Sequence, residues 1–130
     1  MSWRWISKQA LLLMFYEILA EHGGSYGLAV ESSLDSILSG PVNLAAYEEP
    51  DAAALAASYG VGVAKNHPFV DGNKRAALLA AGLFLYLNGF RLQATQADTT
   101  LTMLGVAAGE MSEEAFAAWL RGHIVAREKA

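Results

Sequence analysis

The chain contains no cysteine, which excludes disulfide stapling and zinc–thiolate sites and gives no sign of an oxidising compartment. Strand signals are nearly missing too. Phe90 to Gln93 is the one short candidate in 130 residues. Positive charge is absent over a long stretch: between Gln9 and Ala64 there is no Lys or Arg, while Glu17, Glu21, Glu31, Asp35, Glu48, Glu49 and Asp51 are all acidic. With a net charge of −4, the chain has no basic face for neutralising a nucleic-acid backbone, and direct nucleic-acid binding is not expected. No apolar run approaches the ~20 residues that cross a bilayer; the longest, Ala76 to Leu87, falls far short. The opening MSWRWISKQALLLMFY places Arg4 and Lys8 before an apolar run, as a signal peptide does. Glu17 ends that run early and no small-x-small cleavage site follows, so it is a core helix and the protein is expected to be cytoplasmic.

What is present is apolar and helical. The hydrophobic fraction is 54%, too high for a disordered polypeptide, and much of it is Ala and Leu. There is no repeat, low-complexity tract or charged linker, so residues 1–130 are expected to form a single domain. Leu11, Leu12, Phe15, Ile18 and Leu19 form a helical stripe behind a Ser7 cap, ending at Gly23-Gly24. A second helix is predicted from Ala29 to Leu38, stopped by Gly40-Pro41. A third spans about Asp51 to Asn66, where Gly60 and Gly62 either weaken it or let a neighbour pack close. The fourth, from Asn73 to Asn88-Gly89, is apolar on almost all sides, the pattern of a helix at the centre of a bundle. A fifth opens at Thr95 with a T-x-x-D pattern and closes at Gly109. A sixth starts after Ser112, with Glu113 and Glu114 in its first turn and Met111 placed to staple Phe116. The predicted fold is all-α, a bundle of about six helices.

Between the third and fourth helices lies KNHPFVDGNKR, from Lys65 to Arg75. Pro68 biases His67 toward extended backbone and ends the preceding helix. Gly72 allows a tight turn into the next helix, whose free first-turn N–H groups and positive dipole end attract anions. Lys74 and Arg75 sit in that same turn and oppose the dipole, which costs stability unless an anion compensates. This local conflict points to a phosphate site. Taken singly, each residue has an ordinary reading: His67 as a hydrogen-bonded histidine, Asp71 as a helix cap, Phe69 as core, Lys74 and Arg75 as a solvated face. Together they put a base, an acid, an anion-binding turn and two cations within nine residues.

HPFVDGNKR, from His67 to Arg75, resembles the signature loop of the Fic/Doc superfamily, whose Fic branch follows HPFx[D/E]GNGRxxR. His67, Pro68, Phe69, Asp71, Gly72, Asn73 and Arg75 match that branch. Lys74 replaces its second glycine, and Leu78 stands where its final arginine would be. Both departures point to the Doc branch, the death-on-curing toxins of toxin–antitoxin pairs, whose loop ends in NKR. Similarity extends from the HGG turn at His22 to Gly24, through AYEE at Ala46 to Glu49, to GxxxGEMS ending at Ser112. The resemblance implies the Fic/Doc fold and an enzyme that uses ATP and Mg²⁺. It assigns His67 as the general base, with Lys74 and Arg75 catalytic beside it. Asp71 becomes the Mg²⁺ ligand, and Gly72, Asn73, Lys74 and Arg75 the nucleotide-binding turn, through backbone N–H groups and the Asn and Lys side chains.

The glycine-to-lysine change bears on which phosphorus is attacked. In the Doc branch the lysine accompanies a reversed nucleotide, so the resemblance implies transfer of the γ-phosphate to a Ser or Thr hydroxyl of a protein target. Elongation factor Tu is the expected target and inhibition of translation the outcome. Pro68 and Gly72 are Fic-branch choices and keep adenylyl or nucleotidyl transfer open as the alternative; a non-catalytic antitoxin-binding module is the further one. No glutamate has a Ser or Thr four residues earlier, so the [S/T]xxxE[G/N] inhibitory helix of many Fic proteins is missing from the chain. A separate Phd-like antitoxin is therefore the expected partner, folding as a helix into a groove that the first two helices would supply. Gly24 to Gly27 is the expected target-docking flap.

Overall fold

The computed structural model describes residues 2–25, 27–29 and 31–128, leaving aside the side chains at 31 and 32. The element order is α1 (Lys8–His22), α2 (Glu31–Tyr47), α3 (Ala52–Asn66), α4 (Asn73–Leu87), β1 (Phe90–Leu92), α5 (Gln96–Ala107), α6 (Glu113–His123) and β2 (Ile124–Ala126). The fold is thus a helical bundle with one small sheet, as the all-α expectation required.

Local chemistry sets most helix starts. The side chains of Ser7, Asp51, Thr95 and Ser112 accept hydrogen bonds from the backbone N–H groups of Ala10, Ala54, Asp98 and Ala115, at 3.3, 2.9, 3.1 and 3.0 Å. Asp51 also receives a forked pair from Arg121, Nε to Oδ2 at 2.6 Å and Nη2 to Oδ1 at 2.9 Å, which ties the start of α3 to the end of α6.

Two expectations are corrected. α2 does not stop at Gly40-Pro41 but continues to Tyr47. Pro41 removes one N–H from the helix, yet Gly40 has no Cβ to clash with the proline ring, and Leu34, Ile37 and Pro41 form one buried face against α3. Burial of that face outweighs the lost hydrogen bond. The central helix, moreover, is α3 rather than α4. Ten of the fifteen residues of α3 are buried, and α2, α4 and α6 pack around it. α4 buries Ala76, Ala77, Ala80, Ala81, Phe84 and Leu85, while Leu78, Leu79 and Leu83 on its other face stay half-exposed.

Glycines allow the close approaches at α3. A methyl group on Gly60 would stand 2.9 Å from Phe116 Cε2, and one on Gly62 2.9 Å from Ile37 Cγ2, so α6 and α2 lie directly on the α3 backbone. At the other end of the bundle, the chain before α1 packs Trp3 and Trp5 on Phe84, with ring centroids 5.9 and 5.8 Å away. Asn88 fixes that chain by accepting from Arg4 N at 2.9 Å and donating to Arg4 O at 3.0 Å. The sheet pairs Phe90–Leu92 antiparallel with Ile124–Ala126, Arg91 opposite Val125. Phe90 to Gln93 was the sequence's strand candidate; its partner at 124–126 carried no strand signal, because it follows α6 without a turn residue.

Candidate functional site

The segment from His67 to Gly72 connects α3 to α4, and its conformation is unusual at both ends. His67 caps α3 in the left-handed region (φ 46°, ψ 59°), its N–H donating to Val63 O at 3.2 Å. It is the one non-glycine residue with positive φ among the described residues. The extended backbone that Pro68 favours is therefore not what His67 adopts: closing α3 over Val63 wins, at a strain of order 1–3 kcal/mol. At the other end Gly72 is also left-handed (φ 78°), and a methyl group there would stand 2.9 Å from Phe15 Cζ. The turn into α4 thus rests on α1.

Between these ends, Asn73 holds the loop shut. Its Oδ1 accepts from Phe69 N and its Nδ2 donates to Phe69 O, both at 3.0 Å. Phe69 is buried, its ring 4.4 Å from that of Phe15. The Asn73 side chain thus braces the loop with one Nδ2 hydrogen and its Oδ1, leaving a second Nδ2 hydrogen. Asp71 does not cap α4. Its Oδ1 accepts from Gly72 N at 2.8 Å, leaving Oδ2 beside Gly24, where a methyl group would stand 3.3 Å away.

No side chain caps α4, whereas α1, α3, α5 and α6 each begin under one. Lys74 and Arg75, both exposed, occupy its first turn, and among the described residues neither forms an ion pair. Two cations stand at the positive end of a helix dipole without a compensating carboxylate, an arrangement that favours an anion. Beyond them a cavity of about 260 Å³ opens between α4 and α5, with Leu78, Met103 and Leu104 as its apolar wall and Thr99 and Thr100 on its α5 side. Leu78 thus lines the same hollow as Lys74 and Arg75.

The expected site residues therefore fall on one short segment: His67 at the end of α3, Asp71 and Gly72 in the turn, and Asn73, Lys74 and Arg75 opening α4. What sequence reasoning missed comes from elsewhere in the chain. Ala29 N donates to Pro68 O at 2.7 Å and Val70 N to Gly27 O at 3.1 Å, so the chain at Gly27–Ala29 forms a short antiparallel bridge along the loop. This segment adjoins the expected flap at Gly24 to Gly27, within which Tyr26 lies outside the described residues. The HGG turn was the available signal for Gly24. The contributions of Phe15, Thr99, Thr100 and Met103 had none.

Among the described residues no group of three or more His, Asp or Glu side chains forms a metal cluster. Asp71 alone provides a carboxylate with one free oxygen, a donor set suited to a hard cation that takes its other ligands from phosphates and water. No helix among the described residues is long and apolar enough to cross a membrane.

The model of the Fic/DOC family matches residues 5–85. The chain is 34% identical over 119 residues to protein kinase doc of Escherichia phage P1, an alignment covering 91% of this chain and 94% of that protein. The chain belongs to the Fic/DOC family.

Proposed function

We propose that this protein is a Doc-like toxin, a protein kinase that moves the γ-phosphate of ATP to a Ser or Thr hydroxyl of a protein target. The observation that carries the reading is the uncapped start of α4, where Lys74 and Arg75 stand without carboxylate partners at the end of the loop that begins with His67. The likeness to protein kinase doc supports phosphoryl transfer. So does Lys74, which takes the place of a glycine in the adenylylating pattern.

Each residue of the loop is given a role in this reading. His67 is exposed, and its imidazole accepts the proton of the incoming hydroxyl. The first-turn N–H groups of α4, with Lys74 and Arg75, hold the phosphates and offset negative charge as it spreads over the transferred group. Gly72 gives the turn its left-handed step, and Asn73 fixes the middle of the loop that joins His67 to α4. Asp71 would hold Mg²⁺, which supplies charge neutralisation at the phosphates when bound. The apolar hollow at Leu78, Met103 and Leu104 fits a nucleobase or an apolar part of the target, next to the phosphate turn.

Elongation factor Tu is the proposed target and arrested translation the consequence. A Phd-like antitoxin is the proposed partner. An apolar groove open to such a helix runs between α1 and α4, at Met14, Leu79, Leu83 and Tyr86. The test uses ATP labelled at the α- or the γ-phosphorus with Mg²⁺ and a target-bearing extract. Retention of γ-label alone supports the kinase; retention of α-label establishes nucleotidyl transfer in its place.

A further inference from the structure

The loop that holds the site is flanked by a hydroxyl of the protein's own chain. The bridge between Leu28 and Phe69 runs antiparallel and Gly27 O accepts from Val70 N, so the direction from Ala29 to Gly27 leads along the loop toward Asp71 and Gly72. Gly24 confirms this direction, since a methyl group on it would stand 3.3 Å from Asp71 Oδ2. Ser25 is the next residue. It is exposed, lies outside any helix, and its hydroxyl has no hydrogen-bond partner among the described residues. The other hydroxyls near α4 are held differently: Thr99 and Thr100 are on α5, and Thr99 Oγ1 already donates to Thr95 O at 2.8 Å. An exposed hydroxyl one residue from Gly24, on a segment joined to the loop by the Leu28–Phe69 bridge, stands beside the turn that holds Asp71.

We propose that Ser25 is phosphorylated by the protein's own site, in cis, and that the product limits further turnover. This rests on the phosphoryl-transfer reading above. In the step, the Ser25 oxygen forms a bond to the γ-phosphorus of ATP and the bond from that phosphorus to the β-bridging oxygen breaks. ADP leaves, and the hydroxyl proton passes to His67 and then to water. A phosphate on Ser25 adds close to two negative charges at a turn that already holds Asp71. It draws on the α4 N–H groups, Lys74 and Arg75, and it repels the triphosphate that needs the same donors. No inhibitory glutamate of the [S/T]xxxE[G/N] kind is present in the chain, so such a phosphate supplies a brake from within the site itself.

The experiment incubates the purified full chain with γ-labelled ATP and Mg²⁺, alone and with a target-bearing extract, and maps the label by peptide mass spectrometry. Expected is one phosphate on Ser25, absent from Ser25→Ala and from His67→Ala, with a fractional rate that does not change on dilution. After pre-incubation with unlabelled ATP the parent is expected to label extract proteins roughly tenfold more slowly or worse than before it, while the rate of Ser25→Ala is the same before and after pre-incubation. Label in extract proteins without label on Ser25, or label on Tyr26 or Thr100 instead, overturns the proposal and leaves the kinase reading standing. A rate that falls on dilution overturns the intramolecular step. Absence of label from every protein removes the kinase reading and this proposal with it.

Discussion

Asn73 grips both backbone polar groups of Phe69, accepting from its N–H and donating to its C=O at 3.0 Å each. The first residue of α4 is thereby locked to the middle of the loop that precedes it. Asn73→Ala would leave two part-buried backbone groups unpaired, at a cost of about 1–3 kcal/mol in urea unfolding. The larger effect is expected on transfer activity, because His67 and the α4 start lose their common brace. An Asn73→Ala protein of unchanged activity would show that the brace is dispensable.

Gly72 and Gly82 make a matched pair for substitution by alanine. Gly72 has φ 78° and faces Phe15 Cζ; Gly82 is mid-helix, and a methyl group there would meet nothing within 4 Å. Gly72→Ala is expected to lose about 1–3 kcal/mol through backbone strain and contact with Phe15. Gly82→Ala is expected to gain about 0.5–1 kcal/mol from helix propensity. Thermal unfolding of the two variants should move in opposite directions.

His67 carries backbone strain at the end of α3. In the left-handed region, glycine is comfortable and alanine is not, so His67→Gly should be more stable than His67→Ala by about 1 kcal/mol. Both should lose activity by about 100- to 10,000-fold, the usual worth of a general base. Equal stabilities would mean that position 67 relaxes to negative φ once the histidine is gone.

The Asp51–Arg121 pair governs one pH response. Arg121 hydrogen bonds hold the Asp51 carboxyl below the ordinary aspartate range, and the Ala54 N–H adds to this. A depressed folded-state value means that the stabilisation is complete above the ordinary range and is lost as pH falls through the folded value. Both side chains are about half exposed, so solvent screening keeps the pair under about 1 kcal/mol. Arg121→Ala should therefore lower the unfolding temperature at neutral pH, with the difference from the parent closing in strong acid. A difference that persists there would assign the loss to packing.

Legibility in the sequence followed the range of the interactions. The starts at Ser7, Asp51, Thr95 and Ser112 were readable because a cap is settled within four residues. α2 ran past Pro41 because its buried face on α3, which local rules do not see, outweighed one missing hydrogen bond. β2 exists only because β1 is there to pair with it. The site divides in the same way. His67, Asp71, Gly72 and the cations fall in one contiguous stretch, so their proximity needed no fold. The support of Phe15 beneath Gly72, the approach of Gly24 to Asp71 and the hollow at Met103 join residues far apart in sequence. His67 itself defied its proline, because the helix-ending bond to Val63 decided its backbone.

We propose that the loop from His67 to Arg75 delivers a γ-phosphate to a protein hydroxyl. Intact-mass measurement of elongation factor Tu after incubation with the protein, ATP and Mg²⁺ tests it most directly. A gain of one phosphate that disappears with His67→Ala is the predicted result. A gain of an adenylyl group, or a phosphate that appears equally with His67→Ala, would contradict it.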